Sequence, residues 1–374
     1  MNSINQLVTS IKININELLS MMIEITSLSP SQRGICPEEL YFGETFSDHM
    51  FIQHFTLEHS WHNAVICPYQ SLPLEPFAAF LHSNQKILEG LKAYRNVNGD
   101  INLFRPEDNV KRFNRSAKRM LMPEIDESLH LEAIKSLVYL DQDWVPDKQG
   151  AFLLIRQIMI AASTKLYHGS SRDYSHYIIT RPAGSYFKGE LIPISVFVAD
   201  EYRRAVKDGN GEFKTGGSHM PSILNSEEVI QLGYSQVLLL DPVEGRYIEN
   251  VGEINIYFVY EGKHVVTPVQ NGNILPCIIH DSILKLAPAL GYEISEQCLD
   301  IDDVLAGIDS GKITEAFGSG TAADILPVGK FEFKGKEYVI NNNKTGDVAR
   351  ELYNELTGIQ YGTREDKFGW VVPL

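Results

Sequence analysis

Two short stretches hold residue types that can do covalent or anion-binding chemistry. The first is GNGEFKTGGSHMPS (Gly209–Ser222), a lysine among four glycines, followed by small residues. Glycines let a backbone approach a ligand closely, and a lysine held there can form a Schiff base with an aldehyde. The second is FGSGTAA (Phe317–Ala323), a Gly/Ser/Thr turn whose amides can form an anion-binding nest. Each also has a plain reading, as a solvated surface lysine and as a simple turn. Ser218 and His219 are adjacent, but neighbouring side chains on extended chain point apart, so adjacency does not make a hydrolytic dyad. No GxSxG, GxxxxGK[ST], HExxH or strict GxGxxG occurs.

The elements that would position these residues alternate irregularly between strand and helix. Val110–Leu121 (VKRFNRSAKRML) reads as a basic amphipathic helix closed by Pro123. Strand-like runs fall at Ala151–Ile160, Tyr177–Thr180, Ile192–Val198, Val237–Leu240, Ile254–Tyr260 and His264–Thr267. Helical patterns fall at Glu227–Leu232, Asp281–Leu290 and Val348–Leu356. Ile4, Leu7, Val8, Ile11, Ile15, Leu18, Leu19 and Met22 have helical spacing, which predicts an amphipathic helix within the first 29 residues, stopped by Pro30 and Gly34. The chain has 374 residues, 44% of them hydrophobic, which is ample for a large core and indicates a mixed α/β fold.

Composition removes several classes of function. The formal net charge is −15, from 48 acidic and 33 basic residues, with no basic run able to track a phosphate backbone, so no nucleic-acid partner is expected. No window approaches the ~18 apolar residues of a membrane span. The opening segment lacks the pattern of a secretory or transit leader, so a cytoplasmic protein without a membrane partner is expected. Cys36, Cys67, Cys277 and Cys298 are far apart and form no CxxC pair, so no metal site is expected.

From about Leu40 onward the chain resembles the branched-chain amino acid aminotransferases, fold-type IV enzymes that use pyridoxal phosphate (PLP). The resemblance rests on LEGLKAYR (Leu88–Arg95), LFRPEDNVKRFNRSAKRMLMP (Leu103–Pro123), WVPD (Trp144–Asp147) and GSYF (Gly184–Phe187). GEFKTGG (Gly211–Gly217), TPVQNGNILP (Thr267–Pro276), FGSGTA (Phe317–Ala322) and YGTRED (Tyr361–Asp366) follow in the same order. The resemblance implies a homodimer of two-domain α/β subunits acting on an amino acid and a 2-oxo acid. It divides the chain into an extension (1–39), a small α/β domain (40–181), a connection (182–191) and a large barrel-like domain (192–374). Lys214 would be the Schiff-base lysine and the acid/base group. Arg112, the amides around Cys277, Ile278 and Ile279, and Thr321 would hold phosphate. Thr321 and Ala322 would meet the substrate carboxylate, and Leu88, Leu154, Tyr186 and Met220 would line the side-chain pocket.

Several positions depart from the family pattern. Asn250 stands where a carboxylate should face the pyridine nitrogen. Glu249 precedes it, and regular alternation sends it to the other face of its strand unless a bulge intervenes. His219 replaces the tyrosine that meets the ring oxygen. Glu253 replaces a phosphate-binding threonine, where an unrelieved contact at 4 Å would cost about 4 kcal/mol. Ser83 and Leu154 replace two pocket tyrosines, while Arg156 is retained as a residue that either pairs with a substrate anion or braces the domain. Two readings follow: an aminotransferase with a non-standard substrate, or a relative that has lost PLP-dependent transamination.

Overall fold

The computed structural model describes residues 22–374 except 41–44, 165–168, 186–189, 201–202, 207 and 262, and within the helix Gly216–Gln231 it leaves aside the side chains of 219–226. Most of the predicted N-terminal helix and Tyr186 therefore lie outside the described residues. The end of that prediction is corrected. Glu24–Ile25 is a two-residue strand, β1, parallel to Val65–Ile66, and the Thr26 amide donates to the Ile66 carbonyl at 2.8 Å. Open backbone groups at a sheet edge, met by β-branched Ile23, Ile25 and Thr26, outweigh the helical spacing there.

The first sheet takes β1, β2 (His49–Thr56), β3 (Ser60–Pro68), β4 (Lys86–Arg95), β5 (Ile101–Phe104), β6 (Phe152–Ala161) and β7 (Asp173–Ala183). The chain's last strand, Val371–Pro373, joins its edge on β5. One face packs on the helices α2 (Pro106–Arg119) and α3 (Glu127–Leu140), through residues such as Phe51, Leu91, Val110, Ile134 and Leu137. A short helix, α1 (Ala79–Ser83), leads into β4. Pro182 and Ala183, assigned from sequence to a connection, continue β7.

The second sheet contains β8 (Ile194–Ala199), β9 (Gln236–Leu240), β10 (Ile248–Val251), β11 (Ile254–Tyr260), β12 (His264–Pro268), β13 (Glu293–Gln297), β14 (Ile313–Gly320), β15 (Asp324–Phe333) and β16 (Lys336–Val339). The extra pairing of β10 with β11 closes β10, β9, β8, β15, β14 and β11 into a ring. Its interior is apolar, with Val196, Leu238, Leu240, Ile248, Val251, Ile256, Phe258 and Val328, and is capped by the helix Ile301–Asp309. Gly318 and Gly320 face Ile254 so closely that a Cβ at either position would strike its side chain. Packing therefore demands these two glycines, whatever else the turn beyond them does.

Three helices cover the outside of the ring: α4 (Gly216–Gln231), α5 (Ile278–Ala289) and, following Ile301–Asp309 (α6), α7 (Asp347–Gln360). Tyr257, Phe317 and Ile325 meet Ile279, Ile283, Leu352 and Leu356 in a core that also takes in Tyr94, Phe104 and Phe152 of the first sheet. Burying these aromatics contributes on the order of 2 kcal/mol each and couples the two sheets.

Candidate active site

The basic helix seen in the sequence, α2, does the positioning. Its apolar side, Val110, Phe113 and Ala117, is buried, while Arg112, Arg115, Ser116 and Arg119 recur at helical spacing and hold the lysine loop and the strand beside it. Arg115 pairs with Glu212 at 2.8 Å, Ser116 Oγ accepts from the Lys214 amide at 3.1 Å, and Arg119 donates to the Asp208 and Gly209 carbonyls. On the other side the Leu88 amide donates to the Lys214 carbonyl at 3.0 Å, and Ile87 bridges Thr215. Thr215 then caps α4 through the Ser218 amide. Lys214 is thus the last residue before the cap of a helix, pinned between β4 and α2.

Its ammonium lies 3.5 Å from Glu89, a fully buried acid in the LEGLKAYR segment. Glu89 also accepts two bonds from Arg112, Nε at 2.8 Å and Nη2 at 2.6 Å, and Arg112 Nη1 donates to the Pro276 carbonyl at 2.9 Å. Burial alone would raise the Glu89 carboxyl, but Arg112 and Lys214 overcome it and hold it at about 2. Burial pulls the Lys214 amine below the ordinary lysine range, with Glu89 opposing. Glu89 is the residue that sequence reasoning missed. The available signal was an acid flanked by the apolar Ile87, Leu88 and Leu91, which needs a charged partner when buried.

Arg112 was expected at a phosphate, and two of its nitrogens are engaged by Glu89. It still borders an open pocket of about 620 Å³ at the start of α5, shared with Arg105, Lys111, Arg115, Cys277 and Ile278. Ile278, Ile279 and Thr321 come together with Gly90 and Lys92 around a small cavity of about 20 Å³. Lys92 crosses from the first sheet to Asp324, just past this turn, at 2.7 Å, and Gln360 donates to the other Asp324 oxygen at 3.0 Å. Ala322 is exposed.

Leu88, Gly90 and Lys92 alternate onto the face of the first sheet opposite α2, as do Leu154 and Arg156 through their pairing with Lys92 and Gly90. Leu154 and Arg156 line a cavity of about 160 Å³ with Phe46, Ile158, Ile179 and Arg181. Arg156 and Arg181 are diagonal neighbours across β6 and β7. Ser83 is exposed at the end of α1, bonded to the Ala79 carbonyl and adjacent to Asn84, which packs beside Gly216. Glu253 is exposed in the turn after β10, where its charge acts on Arg204. The side chains of His219 and Met220 lie outside the described ones. Among the described residues no cluster of three acidic, histidine or cysteine side chains suits a metal ion, and no helix is long and apolar enough to cross a membrane.

A pinned lysine of lowered basicity, a guanidinium at a helix start and small-residue turns form a set suited to an aldehyde that carries a dianion. The chain belongs to the amino-transferase class IV family, whose pattern its residues 86–331 match. It is 46% identical over 338 residues to a probable branched-chain-amino-acid aminotransferase of Staphylococcus aureus (strain N315), covering 90% of this chain and 94% of that one. With branched-chain-amino-acid aminotransferase 2 of Bacillus subtilis (strain 168) it shares 41% over 355 residues, covering 95% and 97%. Among solved structures, the Escherichia coli branched-chain amino acid aminotransferase superposes with a TM-score of 0.72 at 23% identity, covering 87% of this chain and 98% of that one. The Thermobaculum terrenum branched-chain amino acid aminotransferase in its PLP-form gives 0.72 at 21%, covering 88% and 99%. The chain has the fold-type IV architecture and is a PLP-dependent enzyme of the branched-chain aminotransferase type.

Proposed function

We propose that this enzyme moves the amino group between a branched-chain L-amino acid and a 2-oxo acid, as a cytoplasmic homodimer. The observation that carries the reading is Lys214, fixed before α4 with its amine beside the Glu89–Arg112 pair. The relatives named above support the branched-chain substrate. They lend no support to the non-standard substrate or to the loss of transamination that Asn250 and Glu253 suggested.

The residues present fit the cofactor. Two buried oxygens on the outer face of the ring, Glu249 Oε2 and Asn250 Oδ1, have no partner among the described residues, as a site built for a polar ring requires. Arg112 and the first amides of α5, at Ile278 and Ile279, would hold the phosphate. When bound, PLP supplies an electron sink conjugated to the substrate's α-carbon.

The protein's own part is binding and proton movement. Lys214 Nζ would hold the cofactor through its aldehyde carbon and, as the free amine once a substrate amine takes its place there, would carry the proton away from the substrate α-carbon and deliver it back. Its lowered basicity keeps the free amine accessible nearer neutrality. Amides at Thr321 receive the substrate carboxylate, and Lys92–Asp324 fixes that turn against the first sheet. Leu88 and Leu154 form the aliphatic wall. Arg156, beside Arg181, receives the distal carboxylate of an acidic partner substrate. The test is amino transfer from leucine to 2-oxoglutarate, with Lys214→Ala as control. Product from the parent and none from the variant is expected; folded, PLP-loaded parent without product would overturn the reading.

A further inference from the structure

Tyr257, in the middle of β11, is fully buried among Ile279, Ile283, Phe317 and Ile325. Its ring stacks on Phe317, its cross-strand partner in β14, with centroids 4.7 Å apart. A phenylalanine would make the same packing contacts. The hydroxyl adds two hydrogen bonds, at 2.6 Å with His280 Nδ1 and at 2.9 Å with Ser319 Oγ. His280 and Ser319 are buried as well, so three polar groups are placed in an apolar core at a desolvation cost that only their mutual bonds offset.

The two partners belong to the two segments that would receive anions. His280 lies in the first turn of α5, beside the amides of Ile278 and Ile279 that would hold the phosphate. Ser319 lies two residues before Thr321, whose turn would receive the substrate carboxylate. Ile278, Ile279 and Thr321 border one small cavity. The start of α5 is also tied to the lysine. Pro276 accepts from Arg112 at 2.9 Å, Arg112 grips Glu89 at 2.6 Å, and Glu89 lies 3.5 Å from Lys214.

The protons of the trio fall into one order. Burial holds His280 down at about 4, with Asp281 opposing, so its ring is neutral near pH 7. Its Nε2 borders the open pocket and faces Glu296 Oε1 at 3.7 Å, which favours the N–H on that side and leaves Nδ1 as the acceptor. Tyr257 then donates to Nδ1 and accepts from Ser319. Burial keeps the phenol well above its ordinary range, so it remains a donor.

We propose that Tyr257 is a positioning residue for amino transfer: through His280 and Ser319 its hydroxyl fixes the start of α5 against the Thr321 turn, and so sets the separation of the phosphate and carboxylate subsites. The proposal rests on the PLP reading above. Cofactor and substrate must span both subsites at once, and a misplacement of about 1 Å costs on the order of a hundredfold in rate.

The test compares Tyr257→Phe, Ser319→Ala, His280→Leu and His280→Asn, the last keeping a side-chain oxygen near the place of Nδ1. Circular dichroism and thermal unfolding of each apoprotein report folding. Titration with PLP gives its Kd, and transfer from leucine at saturating PLP gives KM. Tyr257→Phe should raise both constants about tenfold, the scale of the two hydrogen bonds lost. His280→Asn should stay closer to the parent than His280→Leu. If Tyr257→Phe does not fold, Ser319→Ala is read instead, and a rise of about threefold in both is expected. A hydroxyl that serves only the core would lower thermal stability and leave the folded variant with the parent's Kd and KM. That result, or a rise in only one constant, would overturn the proposal and leave the PLP reading standing. A folded parent that binds no PLP would overturn both.

Discussion

The carboxylate of Glu89 lies 3.5 Å from the ammonium of Lys214 while both of its oxygens accept from Arg112. One buried anion thus serves two cations, and the trio keeps a net positive charge at the place where a dianion must be held. Exchanging Glu89 for an apolar residue would leave two like charges buried together, which is why a buried acid sits at this place in β4.

The pH dependence of stability follows from that trio. Glu89 has an ordinary value of 4.5 and a folded value of about 2. A depressed carboxyl stabilises fully above its unfolded value, and the contribution disappears as pH falls through the folded one. The difference corresponds to about 3 kcal/mol. Glu89→Gln should therefore be less stable by about 3–5 kcal/mol at neutral pH, because Arg112 loses its partner. The gap should narrow between about pH 4.5 and 2. Thermal unfolding across pH checks this; a gap that does not narrow would contradict it.

Lys214 reactivity should respond to the same acid. Burial lowers its basicity and Glu89 raises it. Capture of added PLP by the apoprotein should therefore rise with pH through a midpoint below that of a free lysine, and Glu89→Gln should move the midpoint lower still. A stopped-flow series across pH reads it directly, and a midpoint unmoved by the substitution would argue against the coupling.

Lys92 and Asp324 are 232 residues apart and form a buried pair between the two sheets. Lys92→Met or Asp324→Asn should each cost about 3–5 kcal/mol, since each leaves a buried partner unpaired. Each should also raise KM for both substrates by loosening the Thr321 turn. Denaturant unfolding of the two single variants and the Lys92→Met/Asp324→Asn double variant, which keeps an acceptor for Gln360, tests this: the double variant should lose clearly less than the sum of the two.

Much of the scaffold was legible because it is local. The 3.6-residue pattern of Val110–Leu121 appears as α2, and the apolar runs at Val237–Leu240 and Ile254–Tyr260 appear as β9 and β11. The signals that were hidden are non-local or break a rule. The partners of Glu89 come from another helix and another loop, and Lys92 meets Asp324 across most of the chain. The bulge at Ile248–Asn250 defeats the alternation rule on which the faces of Glu249 and Asn250 were judged. Met22–Ser29 carried the tail of a helical pattern, but the open edge of β3 claims Glu24–Ile25 as a strand.

Arg156 and Arg181 share a cavity in which Leu154 supplies an aliphatic wall. Arg156→Leu should raise KM for 2-oxoglutarate about tenfold or more, the scale of one charge-assisted pair, with little change in KM for leucine. Steady-state kinetics with each substrate varied in turn separates the two. An equal rise for both would mean that Arg156 only braces the first sheet.

Whether Lys214 carries the cofactor is read most directly by peptide mass mapping of the PLP-treated protein after borohydride reduction. A single reduced cofactor adduct is expected, on Lys214, absent in Lys214→Ala. An adduct on another lysine, or none on a folded parent protein, would contradict it.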